Sequence, residues 1–246
     1  DESFGGYTKY RLNEKYFNLL YPLKYLPDNM FKLLINFSKK NKILKMLDML
    51  KDREKLNRAI YFHQHRVWNS QILEKFFLKE DNDYEEFAYF NQNRNLTKNR
   101  ISELQILDLS FYMRDNILFK IDRASMFTGI ELREPLLDQS MVSYGLELKN
   151  KYKLSFSSGK KCIRDFLSDK LPHVSNLKKK GFGIPLYKLC EILDKYFDDV
   201  IYDSSSSIWN VLNKDFVINL LKSNQINKTQ EWQLKMLLSW LNIKGL

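Results

Sequence analysis

Apolar side chains return every third or fourth position along most of this 246-residue chain, the spacing that lines one face of an α-helix. The pattern predicts helix through Tyr16 to Leu26 and again from Asp28 to Phe37, punctuated by Pro22 and Pro27, which lack a backbone donor. Between Ile43 and Phe90 the same period continues in Leu56, Ile60, His63 and Val67, with polar breaks near Asp52, Asn69 and Asp81. Asn91 to Asn99 reads as a polar hinge. A strongly apolar helix then runs from Ile101 to Met113, and Asn116 to Thr128 continues it.

Gly129 is a helix stop, and Ile130-Glu131-Leu132-Arg133 alternates apolar with charged, the period of an extended segment, ahead of Pro135. Asp138 can cap the next helix, which runs to about Leu148. Ser157-Ser158-Gly159 opens another helix through Lys170. The stretch from Leu171 to Pro185 holds two prolines, two glycines and three consecutive lysines, a composition that predicts an ordered loop and no regular element. Helices follow at Leu186 to Val200, Lys214 to Leu221 and Thr229 to Leu241, with Ser204 to Ser207 as a short turn. No internal repeat, low-complexity tract or domain boundary is visible, so residues 1–246 read as part of one domain.

Only 8 glycines and 5 prolines occur, which favours long helices and short turns, and the expected class is mainly α. With 44% hydrophobic residues the chain can build a core. Cys162 and Cys190 cannot form a disulfide framework and no local group has metal-site spacing, so a reducing cytoplasm is the default compartment. No apolar run is long enough to cross a membrane. His63 and His65 are two apart and cannot share a helical face, which argues against a metal site there. Trp209, Trp232 and Trp240 sit among apolar residues and are expected in the core. The formal charge of +10 should attract polyanions such as nucleoside triphosphates or nucleic acids, although a genome biased toward Lys, Asn and Ile accounts for it equally.

Three separated segments depart from ordinary helix-bundle sequence. They are Asp1-Glu2 before Phe4-Gly5-Gly6-Tyr7; Lys120-Ile121-Asp122-Arg123-Ala124-Ser125-Met126 running into Glu131-Leu132-Arg133-Glu134-Pro135-Leu136-Leu137-Asp138; and Lys178-Lys179-Lys180-Gly181-Phe182-Gly183-Ile184-Pro185. In this order and at these separations they resemble the asparagine synthetase family, closely from Ile117 to Pro185 and weakly between Ile43 and Asn99. Two positions depart from the family pattern. Glu134 stands where an apolar residue is usual before the proline, and Leu177 where the late block opens with Arg.

The resemblance implies the helical C-terminal portion of an α/β ATP pyrophosphatase domain whose parallel sheet lies mostly upstream of this chain. It implies ATP and Mg2+ as cofactors, adenylation of the side-chain carboxylate of aspartate, and displacement of AMP by ammonia that a separate N-terminal glutaminase domain releases from glutamine. The upstream half of the same synthetase domain, with its ATP-gripping loop, is then the nearest partner. Neither membrane nor nucleic acid is expected as one, and a homodimer stays open. Taken alone, these residues are expected to bind ATP poorly and to be inactive.

Adenylation expels pyrophosphate, so such a site needs a divalent ion on hard oxygen ligands. By resemblance, Asp1 matches the family's second metal-binding aspartate. Lys179, three residues before Phe182, takes the register of the catalytic lysine that fixes negative charge on the adenylate, with Lys180 and Gly181 beside it in the same loop. Asp115 falls where the family keeps an acidic residue that helps receive a proton from the nucleophile. Lys120 and Arg123 at i,i+3 can present two cations along one face, a buried Asp122–Arg123 pair being the alternative. Glu131 and Arg133 share one side of the extended segment and either reach substrate or anchor it, with anchoring favoured for Glu131. Other functional classes are a related amidotransferase or β-lactam synthetase-like enzyme on another carboxylate, and a non-catalytic basic helical module that binds nucleic acid or serves as a scaffold.

Overall fold

The computed structural model describes residues 1–27, 29–30, 56–68, 70–78, 97, 99–155, 157–175, 177, 183, 185–203, 205–223 and 225–244. In chain order the helices are α1 (Thr8–Leu20), α2 (Leu56–His65), α3 (Ser70–Phe76), α4 (Arg100–Leu107), α5 (Phe119–Met126), α6 (Gln139–Glu147), α7 (Asn150–Lys153), α8 (Lys161–Lys170), α9 (Pro172–Ser175), α10 (Leu186–Tyr202), α11 (Lys214–Lys222) and α12 (Lys228–Lys244). Short 3-10 turns cover Tyr21–Tyr25, Pro135–Leu137 and Ser207–Asn210. Among the described residues, β-pairing is limited to isolated bridges between Phe77 and Leu212 and between Leu154 and Gly159. The mainly α class expected from the scarcity of Gly and Pro is therefore the class of the described residues.

The chain forms two compact units, Asp1–His65 with Glu86–Lys178, and Arg66–Glu85 with Lys179–Leu246. In the first, Tyr10, Tyr61, Ile101, Leu104 and Leu107 form one buried cluster, and Leu20, Leu56 and Ile60 form another. These residues come from α1, α2 and α4. Asn99 starts α4 by accepting from the backbone N–H groups of Ile101 and Ser102 at 3.0 and 3.3 Å. Helix then continues unbroken to Met126, because Asp108–Leu118 winds as a π-helix that joins α4 to α5. The apolar period predicts this continuity but not the wider turns, whose i→i+5 bonds leave no distinct mark in it.

Two local expectations give way in this unit. The predicted loop after Leu171 begins with one helical turn, α9, whose first residue Pro172 loses no bond there. Asp122 and Arg123 are both exposed, so the alternative of a buried pair does not hold. In the second unit the core is Phe76, Phe197, Ile201, Ile208, Leu212, Val217, Leu220, Leu234 and Leu238. Trp209 and Trp232 pack against it as expected, but Trp240 is 51% exposed. The buried positions of α12 are Leu234, Lys235, Leu238 and Ser239, and at 3.6 residues per turn Trp240 falls on the far side.

Candidate active site

Asp1 to Gly6 form a tight turn in which the Gly6 N–H donates to the Asp1 carbonyl at 2.6 Å. The glycines are required by close approach. Gly5 has φ +69°, and a Cβ on Gly6 would lie 2.1 Å from Asp1 Oδ1. Gly159 presses on the same turn, where a Cβ would lie 2.1 Å from the Gly5 carbonyl oxygen. The next residue, Lys160, takes the left-handed conformation (φ 56°) and places its Nζ 2.6 Å from Asp1 Oδ1. Burial lowers the Lys160 pKa from its ordinary value, with nearby Glu2 opposing the shift. A strained non-glycine residue aimed at a candidate ligand is the kind of feature that clusters at functional sites.

Glu2 is buried, and its Oε1 accepts from the Tyr7 hydroxyl at 2.6 Å. Tyr7 leads into a second buried cluster around Asp108, the first residue of the π segment. Asp108 accepts from Lys9 Nζ and the Tyr10 hydroxyl, both at 2.5 Å, and from the Tyr61 hydroxyl. The Lys9 ammonium also lies 4.7 to 5.8 Å from the ring centroids of Tyr7, Tyr10, Tyr61 and Tyr112, an arrangement that attracts a cation. Burial and then Asp108 push Tyr10 and Tyr61 well above the ordinary phenol range. His65 is lowered, by burial first and then by Lys9. Because Lys9 can only donate, His65 Nε2 accepts from it at 2.9 Å and Nδ1–H donates to the Tyr61 carbonyl at 2.8 Å.

The motif residues of the central block lie elsewhere on the first unit and face solvent. Asp115 takes a two-pronged contact from its neighbour Arg114, Nε to Oδ1 at 2.6 Å and Nη2 to Oδ2 at 2.9 Å. Lys120 and Arg123 are exposed, and the Arg123 guanidinium lies 5.2 Å from the Phe119 ring centroid. Glu131 and Arg133 pair with each other and are both exposed. They share a side, as period-two geometry requires. Around them Phe127 is 92% exposed, and Met126, Ile130, Leu132 and Leu136 are also open. Lys179, Lys180 and Gly181 lie outside the described residues.

Sequence reading missed Lys160 and Arg164. Arg164 donates to the Gly159 and Leu177 carbonyls, each at 3.2 Å, and to the Ser175 carbonyl, tying the turn-facing glycine to the start of the lysine loop. The signal available was Gly159 followed by a basic residue at a helix start, which is weak without the fold. Among the described residues no group of three or more His, Cys, Asp or Glu is placed to hold a metal. Asp1 is the carboxylate that the resemblance offers as a metal ligand. Its pairing with a cation shows that the position takes positive charge, and one carboxylate suffices for Mg2+ when substrate phosphates complete the shell.

The family model described as Asparagine synthase matches residues 1–242. Asparagine synthetase [glutamine-hydrolyzing] 1 of Bacillus subtilis is 26% identical over 99% of this chain and 39% of its own length. Putative asparagine synthetases of Mycobacterium bovis and Mycobacterium tuberculosis are each 31% identical over 35% of this chain and 13% of their own length. The chain thus spans under half the length of the curated relatives it matches. No solved structure gives a match.

Proposed function

The chain belongs to the asparagine synthase family, and on that footing we propose that it supplies part of a site for ATP-dependent asparagine formation. An oxygen of the aspartate side-chain carboxylate attacks the α-phosphorus of ATP, the bond to the β-phosphate breaks, and pyrophosphate leaves. Ammonia, drawn from glutamine by a separate glutaminase domain, attacks the acyl carbon of the aspartyl-AMP. The C–O bond to the phosphate breaks, AMP departs, and the nitrogen gives up a proton.

The observation that supports this reading is Asp1, a carboxylate held on a pinned turn with Lys160 Nζ 2.6 Å away. Mg2+ bound there would neutralise the charge of the departing pyrophosphate. Lys160 adds a cation beside it. Lys120, Arg123, Arg133, Lys180 and Gly181 are the proposed contacts to phosphate or substrate, with Glu131 beside Arg133. Lys179 stabilises the adenylate, and Asp115 serves the proton that ammonia loses. The remaining phosphate contacts come from the upstream half of the domain.

In the complete polypeptide, Asp1→Asn is expected to raise the Mg2+ needed for pyrophosphate release while aspartate-dependent specificity persists. Mass spectrometry should find asparagine as the amidated product. An Asn variant with an unchanged Mg2+ requirement, or a product built on another carboxylate, would refute the corresponding part of the proposal.

A further inference from the structure

Two buried side chains outside the proposed machinery hold the turn that carries Asp1. Lys153, at the end of α7, has no solvent exposure. Among the described residues its ammonium donates to neutral acceptors, Gln105 Oε1 at 2.7 Å, the Leu146 carbonyl at 3.0 Å and Ser102 Oγ at 3.2 Å. Leu146 belongs to the last turn of α6, whose carbonyls lack helical partners and whose dipole favours a cation. The helix end thus takes the place of a carboxylate counter-charge.

This has a consequence for Gln105. A lysine ammonium can only donate, so Gln105 turns its oxygen toward Lys153 and its nitrogen the other way. That nitrogen donates to the carbonyls of Glu2 at 2.5 Å and Ser3 at 2.7 Å, both buried. Gly145 on α6 permits the close packing, since a Cβ there would lie 2.8 Å from both Cβ and O of Ser3. Lys153, Gln105 and the turn therefore form one chain of buried, oriented bonds that ends at the residue next to Asp1.

We propose that Lys153 and Gln105 are positioning residues for Asp1, the ammonium fixing the direction of the Gln105 amide and the amide fixing the two carbonyls that follow Asp1. The inference rests on reading Asp1 as a metal-binding carboxylate. Lys153→Met keeps the apolar stem but removes the donor that orients Gln105. Gln105→Glu keeps a partner for the ammonium but removes the donor facing the turn.

The test is amide hydrogen exchange at Gly6, whose N–H bonds to Asp1, with the α4 amides as an internal control for global unfolding. Both variants are expected to speed Gly6 exchange about tenfold, the scale of losing one hydrogen bond, while α4 stays protected. Unchanged Gly6 exchange, or equal acceleration at Gly6 and α4, overturns the proposal. In the complete polypeptide the same variants should raise the Mg2+ for half-maximal pyrophosphate release several-fold, with turnover recovering at saturating Mg2+. Faster Gly6 exchange without a changed Mg2+ requirement would support the clamp and remove the metal role of Asp1.

Discussion

Lys9 Nζ lies 2.5 Å from Asp108 Oδ1, joining α1 to the start of the π segment across 99 residues of sequence. The carboxylate is fully buried, while the lysine keeps some exposure. Losing the cation leaves Asp108 charged and desolvated, with the Tyr10 and Tyr61 hydroxyls bonded to it and His65 Nε2 3.9 Å away. Lys9→Met should therefore cost about 3–5 kcal/mol in urea unfolding, the range for breaking a buried pair from one side. Adding Asp108→Asn should recover most of that loss. A small cost for Lys9→Met alone would show that the cluster does not couple the two elements.

Stability should respond to alkaline pH in two opposed ways. Burial lowers the Lys153 pKa from 10.5 to about 8, so between those values the unfolded chain holds a proton that the folded chain has released. Stability linked to Lys153 rises with pH through that window. Tyr10 and Tyr61 shift upward, so above their unfolded value of 10.0 the folded chain keeps protons the unfolded chain loses, and their contribution falls. Lys153→Met should abolish the rise and spare the fall, and Tyr61→Phe should lessen the fall. Unfolding midpoints across roughly pH 7 to 11, a range that holds the Lys153 window and the start of the tyrosine one, check this.

Gly159→Ala and Gly129→Ala separate crowding from backbone conformation. At Gly129 the φ of +70° is the obstacle, since an added Cβ would meet no atom of the described residues within 4 Å, so alanine should cost about 1–2 kcal/mol. At Gly159 the new carbon meets a backbone oxygen, which cannot swing aside as a side-chain tip would. Thermal denaturation should show the larger loss at Gly159, and exchange at Gly6 should rise with it. Equal losses would mean the turn yields easily.

Lys179→Ala in the complete polypeptide should reduce pyrophosphate release by roughly a hundredfold, the scale of removing one preorganised charge donor. ATP binding should change far less. Lys180→Ala is the comparison, because a merely solvated basic loop would treat both lysines alike, with small, salt-sensitive effects. Equal and near-normal turnover in the two variants would remove Lys179 from the chemistry.

Legibility in the sequence followed the range of the interaction. Ile101, Leu104 and Leu107 announce α4 because their spacing repeats within two turns, and all three are buried. Asn99 and Asp138 cap the helices that follow them, a bond that spans two or three residues. Lys153, Gln105 and Asp108 carry no such local mark. A polar residue on the inner face of a helix looks like an error in the pattern until its partner is known. Trp240 shows the converse, an apolar residue whose angular position on α12 leaves it outside.

Helical class, most of the described helix positions and the family resemblance carried by the three motif blocks were legible in the order of residues, because backbone propensity and apolar period are local and the blocks keep their order and separations. Packing alone brought Asp1 to Lys160, gathered Lys9, Tyr10 and Tyr61 around Asp108, and buried Lys153 against a helix end. Those pairings depend on desolvation and on side chains far apart in the chain arriving at one place. A buried charge is tolerable only where every partner is already in position, and that condition belongs to the packed molecule.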